Sequence, residues 1–433
     1  MILTFFVVTL QRYINHTYMK GYTWFISQRM NLSSSGKGSS PAIKVAVIAV
    51  ALSIAIMILA IAIVNGFKTQ ITDKVTGFNS EIILYPTYAS EKIDDNLVEL
   101  TKPLREILDN ENYIKSYSLI SSLPAILKTE TDFKGIYLRG VPDDYDFSFI
   151  ENNLIDGKIA DYSQKENSNH VLISTQIANE LGLKVNDEIN AYFISQDIRV
   201  RKLKIVGLFN THFEDYDNNF IFGDIGLIQD LCGFTSTQGS AIEINTYDID
   251  RVNDDTASLF GTLNTAIAEG KLQATYNLNN VKNTGSSYFG WLSLLDTNVV
   301  VILTLMIVVA CFSLVAAMLI LILEKIQLIG ILKTLGSSND HISKIFIQLS
   351  IKIGVIGLAI GNFIAIALLY IQDKYHLIQL DPQSYYIDFV PVEINYTSII
   401  VTNILTIVVM WLILIIPSRM VSKISPSETI KYE

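Results

Sequence analysis

Residues Glu324 to Phe346, EKIQLIGILKTLGSSNDHISKIF, decide how the chain is read. The stretch is short and mixed, wedged between an apolar run ending at Leu323 and another starting near Ile345. The chain therefore leaves a bilayer, turns and goes back. The turn is Gly336-Ser337-Ser338-Asn339-Asp340, with a glycine suited to a helix C-terminus and Ser or Asn suited to the next N-cap. Ahead of it, Ile326, Leu328, Ile329, Ile331, Leu332 and Leu335 form a broad apolar face, with Lys325 and Lys333 on the polar one. The pattern alone fits either a membrane-surface elbow or a helix offered to a cytosolic partner.

Composition places the stretch in an integral membrane protein. Half of the 433 residues are hydrophobic, charge is sparse, and several apolar runs are long enough to span a bilayer. The net charge of −10 is unevenly spread. Up to Lys44 the chain carries Arg12, Lys20, Arg29, Lys37 and Lys44 with no acidic residue, whereas the span from Phe67 to Thr297 is strongly acidic. No basic stripe of the kind that binds nucleic acid is present. Cys232 falls in the polar span and Cys311 inside an apolar run, which makes them a poor disulfide pair.

The remaining segments follow in order. Residues 1–44 read as an N-terminal cytoplasmic and interfacial segment. Met1 to Leu10 is apolar but too short to span and lacks a cleavage site, and Met19 is an alternative start. Tyr22-Thr23-Trp24-Phe25-Ile26, flanked by Lys20 and Arg29, suits a helix lying at headgroup level. The first spanning helix is expected within 45–66, running from about Val45 to Val64 and leaving at Asn65-Gly66-Phe67. Three more are expected at 298–323, 347–371 and 398–416, so that 67–297 is an inserted domain, 324–346 and 372–397 are loops and 417–433 is a tail. Basic residues flank the first helix and recur in the 324–344 loop and the tail, whereas 372–397 carries Asp373, Asp381, Asp388 and Glu393 against Lys374. By the positive-inside rule both termini and the 324–346 segment are cytoplasmic, and the inserted domain is outside.

The third spanning run carries a small-residue ladder, Gly354, Gly357, Gly361 and Ala365, which lets a second helix backbone approach closely. The inserted domain reads as α+β. Strand-like pieces lie at Glu81–Tyr85, Phe133–Leu138, Glu188–Ile194 and Arg199–Leu208, with helix-like ones at Asp94–Leu108, Ser174–Leu181, Ile225–Leu231 and Asp250–Glu269. Ser195-Gln196-Asp197 suits a tight hairpin turn.

Nothing in the chain announces catalysis. The five histidines are scattered, no metal-ligand spacing occurs, and the cluster His212, Glu214, Asp215 and Asp217 reads as a solvated acidic loop. A phosphate loop is also missing: in Gly36-Lys37-Gly38 the first glycine of the motif would fall on Asn31. No cofactor and no metal are expected.

One helix, a large inserted domain and three further helices around a coupling segment resemble the FtsX-like permease superfamily of ABC transporters, and within it the lipoprotein-releasing (Lol) permeases. The resemblance rests on Asn65-Gly66-Phe67, on Glu324-Lys325 followed by Ile329 to Gly336, and on the tail Ile424-Ser425-Pro426-Ser427-Glu428; it covers about 400 residues. It implies a bacterial inner-membrane permease subunit without its own nucleotide site. A separate cytosolic ABC ATPase would drive it, with Glu324, Lys325, Ile329, Gly330, Leu332, Lys333 and Gly336 in the coupling segment. It further implies a second permease subunit, a lipoprotein substrate lifted from membrane lipid and a periplasmic carrier. Carrier recruitment in that family uses a protruding hairpin, where this chain has the short Ser195–Asp197 turn. The alternative reading is a mechanotransmission permease driving a periplasmic efflux assembly or a cell-wall hydrolase.

Overall fold

The computed structural model describes residues 26–27, 41–87, 97–194 and 198–423. The interfacial aromatic stretch before Ile26, the Ser195–Asp197 turn and the tail from Ile424 lie outside the described residues. In chain order the elements begin with helix α1 (Pro41–Phe78), strands β1 (Ile82–Pro86) and β2 (Val98–Glu99), helix α2 (Lys102–Asn110), and strands β3 (Ile114–Lys128), β4 (Phe133–Val141) and β5 (Leu154–Gly157). Next come β6 (His170–Ser174), α3 (Thr175–Leu181), β7 (Glu188–Ile194), β8 (Ile198–Phe209), β9 (Phe220–Asp224), α4 (Ile225–Cys232), β10 (Gln238–Gly239), β11 (Ala241–Thr246), α5 (Val252–Ala268) and β12 (Tyr276–Asn280). The chain continues with α6 (Ser286–Glu324), α7 (Ile326–Thr334), α8 (Asn339–Tyr375) and α9 (Tyr396–Ser418). Among the described residues four helices, α1, α6, α8 and α9, are long and apolar enough to cross a membrane.

The chain divides into two compact units. One holds the described residues up to Phe67 together with Ser293–Ile378 and those from Val390 onward; the other is Lys68–Leu292 joined by Gln379–Phe389. The first is a helical bundle whose core is built from Val50, Ile54, Ile58, Leu314, Met318, Phe346, Ile353 and Leu414, all almost without solvent exposure. At Gly66 a side chain would strike Pro391 and the amide of Val392 at 2.7–2.8 Å. Just before it, the Ala62 carbonyl accepts from the Glu393 amide at 3.0 Å. The glycine of Asn65-Gly66-Phe67 thus marks where the approach to α9 passes against α1.

The helix itself continues past Asn65–Phe67, where the spanning run is expected to leave the bilayer. It runs 38 residues to Phe78 because its last turns carry Ile71, Val75 and Phe78, spaced to bury one face in the second unit. The apolar run measures the bilayer; the amphipathic run after it extends the helix.

In the second unit a ten-stranded sheet has the order β12-β1-β11-β3-β4-β9-β6-β8-β5, and β7 pairs with both β3 and β8. The ladders β3-β4-β9-β6-β8-β7 return to β3 and close a ring of six strands. The 15-residue β3 serves two cores. Its first half pairs with β11 and supplies Leu119 to a cluster with Leu84, Ile242, Leu259 and Leu263. Its second half supplies Leu123, Ala125 and Leu127 to a cluster closed by α3 and α4 through Ile177, Leu181, Ile228 and Leu231. Both of those helices stop on left-handed glycines, Gly182 and Gly233, and start on Ser174 and Asp224 caps.

The helix expected over Asp94–Leu108 is corrected to β2 followed by α2. Pro103 lies in the first turn of α2, where its missing N–H costs nothing, and it blocks a helix from running in from upstream.

Between the two cores, Phe78 sits among Phe149, Phe209, Phe213, Tyr216 and Phe222, with ring centroids 4.8–6.4 Å away. Its carbonyl accepts from Arg139, which also pairs with Glu243, and both charged side chains are buried. Burial pushes the nearby Tyr145 hydroxyl up to about 12, so it remains a neutral phenol. Glu243→Gln leaves the Arg139 charge uncompensated and should destabilise the inserted domain by about 3–5 kcal/mol. The double variant Arg139→Met with Glu243→Leu should lie within about 2 kcal/mol of the parent in chemical denaturation, because no buried charge remains. A double variant as unstable as the single one would show that the pair stabilises the fold by its own attraction.

Candidate coupling segment and helix-packing site

Helix α7 is short because the sequence at its end forbids continuation. Gly336 takes φ +85°, the Ser337 amide donates to the Leu332 carbonyl at 2.9 Å and the Gly336 amide to the Lys333 carbonyl at 3.0 Å. Ser338 then caps α8 in extended conformation, and its hydroxyl meets His341 Nδ1 at 2.7 Å. Gly336 thus does what its type suggests, whereas Ser338 holds the N-cap position with its hydroxyl on His341 and not on the helix backbone.

The seven residues expected to take part in coupling do not share one face. Ile329, Gly330 and Leu332 are buried, Leu332 being only 6% exposed. Ile329 and Leu332 belong to the core of the helical bundle. Lys333 Nζ donates to the Val421 carbonyl at 2.8 Å, tying α7 to the chain after α9. Glu324 is exposed and Lys325, as the N-cap, half-buried. The outward apolar positions are Ile331 at 56% and Leu335 at 77% exposure, which the sequence pattern had merged with the inward ones.

The glycine ladder points at three neighbouring helices. A side chain at Gly357 would meet Val50 Cβ at 2.8 Å and the Val47 carbonyl at 3.1 Å; one at Gly361 would meet the Ala51 carbonyl at 2.5 Å and Ile54 Cβ at 2.9 Å. These two therefore set the approach of α8 to α1. Gly354 instead faces Met410 Sδ at 3.2 Å and Leu314 at 3.4 Å, and Ala365 is fully buried. Asn362 and Asn403 exchange amide hydrogen bonds at 3.0 and 2.9 Å, joining α8 to α9. Sequence reasoning passed over this pair, although a polar amide inside an apolar span is a signal in itself.

In the second unit, the acidic loop after β8 is structured by its neighbours. Asp217 is buried and accepts from the Thr211 amide at 3.0 Å and hydroxyl at 2.8 Å. Burial holds its carboxyl above the ordinary range, and the Thr211 hydrogen bonds oppose that shift. His212 Nε2 lies 3.3 Å from Asp388, Asp215 accepts from the Tyr288 hydroxyl, and Lys74 Nζ donates to the Thr211 and Tyr386 carbonyls at 2.6 Å each. The Gln379–Phe389 segment is thereby strapped to the end of α1 and to the loop. Among the described residues no group of His, Cys, Asp and Glu is placed to hold a metal ion.

Four apolar helices among the described residues, with an α+β domain inserted after the first, give the architecture of a membrane permease. Residues 45–265 match the MacB-like periplasmic core domain and residues 300–426 the FtsX-like permease C-terminal domain; the chain belongs to the FtsX-like permease family. It is 22% identical over 388 residues to the lipoprotein-releasing system transmembrane protein LolC of Neisseria meningitidis serogroup B, covering 86% of this chain and 89% of that protein. It is 22% identical to the corresponding LolE of Haemophilus influenzae, over 85% of this chain and 88% of that one. The periplasmic region of MacB from Actinobacillus actinomycetemcomitans matches 48% of this chain and 92% of that structure, at 13% identity and a TM-score of 0.34.

Gly361→Leu should force α8 away from α1 and lower stability by at least about 2–3 kcal/mol, since backbone on α1 cannot give way. The melting temperature of the purified protein in detergent checks this, with Phe363→Leu at an exposed position of the same helix as the neutral control. Equal melting temperatures would deny the ladder its packing role.

Proposed function

We propose that the chain is the permease subunit of an ABC transporter that extracts lipoproteins from the inner membrane for transfer toward the outer membrane. The observation that carries this reading is the similarity to lipoprotein-releasing permeases over 85–86% of the chain, which takes in the inserted domain and the membrane helices alike. ATP is hydrolysed on a separate chain, and a second permease subunit completes the assembly. The positive charges around the membrane helices support an orientation with α7 in the cytoplasm and the inserted domain outside.

In this reading α7 receives the ATPase. Ile331 and Leu335 present apolar side chains outward, while Leu332 and Lys333 fasten the same helix to the bundle. A push on α7 then reaches α8 directly, as the two are joined by a four-residue connection, Leu335 to Ser338, fixed at Gly336 and Ser338. Release of a lipoprotein from proteoliposomes, with its ATPase and an acylated substrate supplied, tests the function. ATP turnover without release would favour mechanical work on another periplasmic protein.

Ile331→Asp with Leu335→Asp should lower permease-dependent ATP turnover by about tenfold or more while the protein still folds, as expected for two apolar anchors of an interface. Leu332→Asp should instead reduce the yield of folded protein, because a charge would enter the core. Full turnover in the double variant would remove α7 as the docking element.

Orientation is checked separately. In a cysteine-free background, a cysteine at exposed Ser236 should react with an impermeant thiol reagent in spheroplasts, and one at exposed Ser338 should react only after lysis. Labelling of Ser338 from outside would invert the topology.

A further inference from the structure

The aromatic residues around the strap form a pocket that the permease role leaves unassigned. Asp215, Ser287, Tyr288, Trp291, Ser384, Tyr385 and Tyr386 enclose about 490 Å³, within the range of small-molecule sites. Tyr288 and Tyr386 stand nearly perpendicular, 81° apart with centroids at 5.7 Å, and Phe213 braces both from behind at 5.1 and 5.3 Å. The lining holds one carboxylate, Asp215, and no basic side chain. Lys74 lies next to it, but its ammonium is turned onto the Thr211 and Tyr386 carbonyls. Aromatic walls set at right angles beside a carboxylate select a cation, through ring faces and charge together. The acidic surface of the inserted domain raises the local concentration of cations further.

We propose that this pocket binds a lysine or arginine side chain of a polypeptide cargo, in the extended segment that follows its membrane anchor. The proposal rests on the lipoprotein-release reading for the identity of the cargo. Position along α6 favours a polypeptide over a lipid amine. Trp291 precedes the apolar run that starts at Val299 by eight residues, about 12 Å of helix. The headgroup layer is roughly 5–8 Å deep, so an amine held there falls short. An extended chain gains about 3.3 Å per residue, and a cation from about the fourth residue onward reaches the pocket. One cation among aromatic rings binds weakly in free solution. Tethering to the bilayer supplies an effective concentration on the order of millimolar, enough to fill such a site.

The test uses the full chain in detergent, without ATPase or lipoprotein, titrated with acetyl-Gly-Lys-Gly-Gly-amide and with the same peptide carrying norleucine for lysine. Tryptophan fluorescence or ligand-observed NMR reads the binding. The lysine peptide should saturate the protein, and the norleucine peptide should bind at least about fivefold more weakly. Asp215→Asn and Trp291→Leu should each weaken lysine-peptide binding by about fivefold or more, with unchanged melting temperatures. Equal binding of the two peptides, or an Asp215→Asn variant that binds like the parent, would overturn the proposal. So would loss of peptide binding in nanodiscs of phosphatidylethanolamine but not of anionic phosphatidylglycerol, which would assign the pocket to a lipid amine. Failure of lipoprotein release in proteoliposomes would leave these titrations untouched, so the two readings fail separately.

Discussion

The last carbonyls of a helix have no partner within the helix, and in α1 this need is met by a side chain from the sheet of the second unit, to which the helix's last turns belong. The Phe78 carbonyl receives the Arg139 guanidinium, which is neutralised by Glu243 and lies over the Phe222 ring at 5.8 Å. A cation at a helix C-terminus also faces the negative end of the helix dipole. The arrangement is expensive to assemble: Arg139 and Glu243 are both desolvated, and Arg139 Nε has no hydrogen-bond partner among the described residues. It persists because Phe78 is locked by five surrounding aromatic rings, so the carbonyl cannot turn away. The two cores of the inserted domain meet around this point, since Arg139 belongs to β4 and Glu243 to β11, on either side of β3. A membrane helix and both halves of the sheet therefore depend on one buried ion pair.

The membrane bundle is held by different means. Lipid offers no hydrophobic drive toward association, so close backbone approach and interhelical hydrogen bonds must supply it. Gly357 and Gly361 provide the first against α1, and the Asn362–Asn403 pair provides the second against α9. Helix α8 is the common member of both contacts and is also the helix that follows α7 across the Gly336–Ser338 turn.

The strap introduces a second link between the sequence of the membrane helices and the inserted domain. Gln379–Phe389 lies between α8 and α9 but folds with the inserted domain, under Lys74, His212 and the rings of Phe213 and Tyr288. The polar groups that make this possible, Asp388 and Tyr386 in particular, looked from their own neighbourhood like an ordinary acidic outer loop. The same is true of His212 and Asp215, whose partners lie 176 and 73 positions away.

Much of the architecture followed from local chemistry. Apolar length marks four spans, because a bilayer sets a minimum run and excludes charge. Gly336 marks the turn, because few residues accept a left-handed backbone. The glycines of α8 mark a close contact, because only small residues permit one. Pairing between distant residues had no such signature. The long strand β3 carries Pro124 in its interior, which argues against a strand in isolation. It is accommodated because the β11 ladder ends at Ile120 and the β7 ladder begins at Ala125, a gap visible only once the sheet is assembled. In the same way, Leu332 and Leu335 are both leucines on an amphipathic helix, and composition cannot say which one faces inward. The bundle core takes Leu332 and leaves Leu335 in the open, since burial of a side chain is settled by which neighbours the whole fold brings to it.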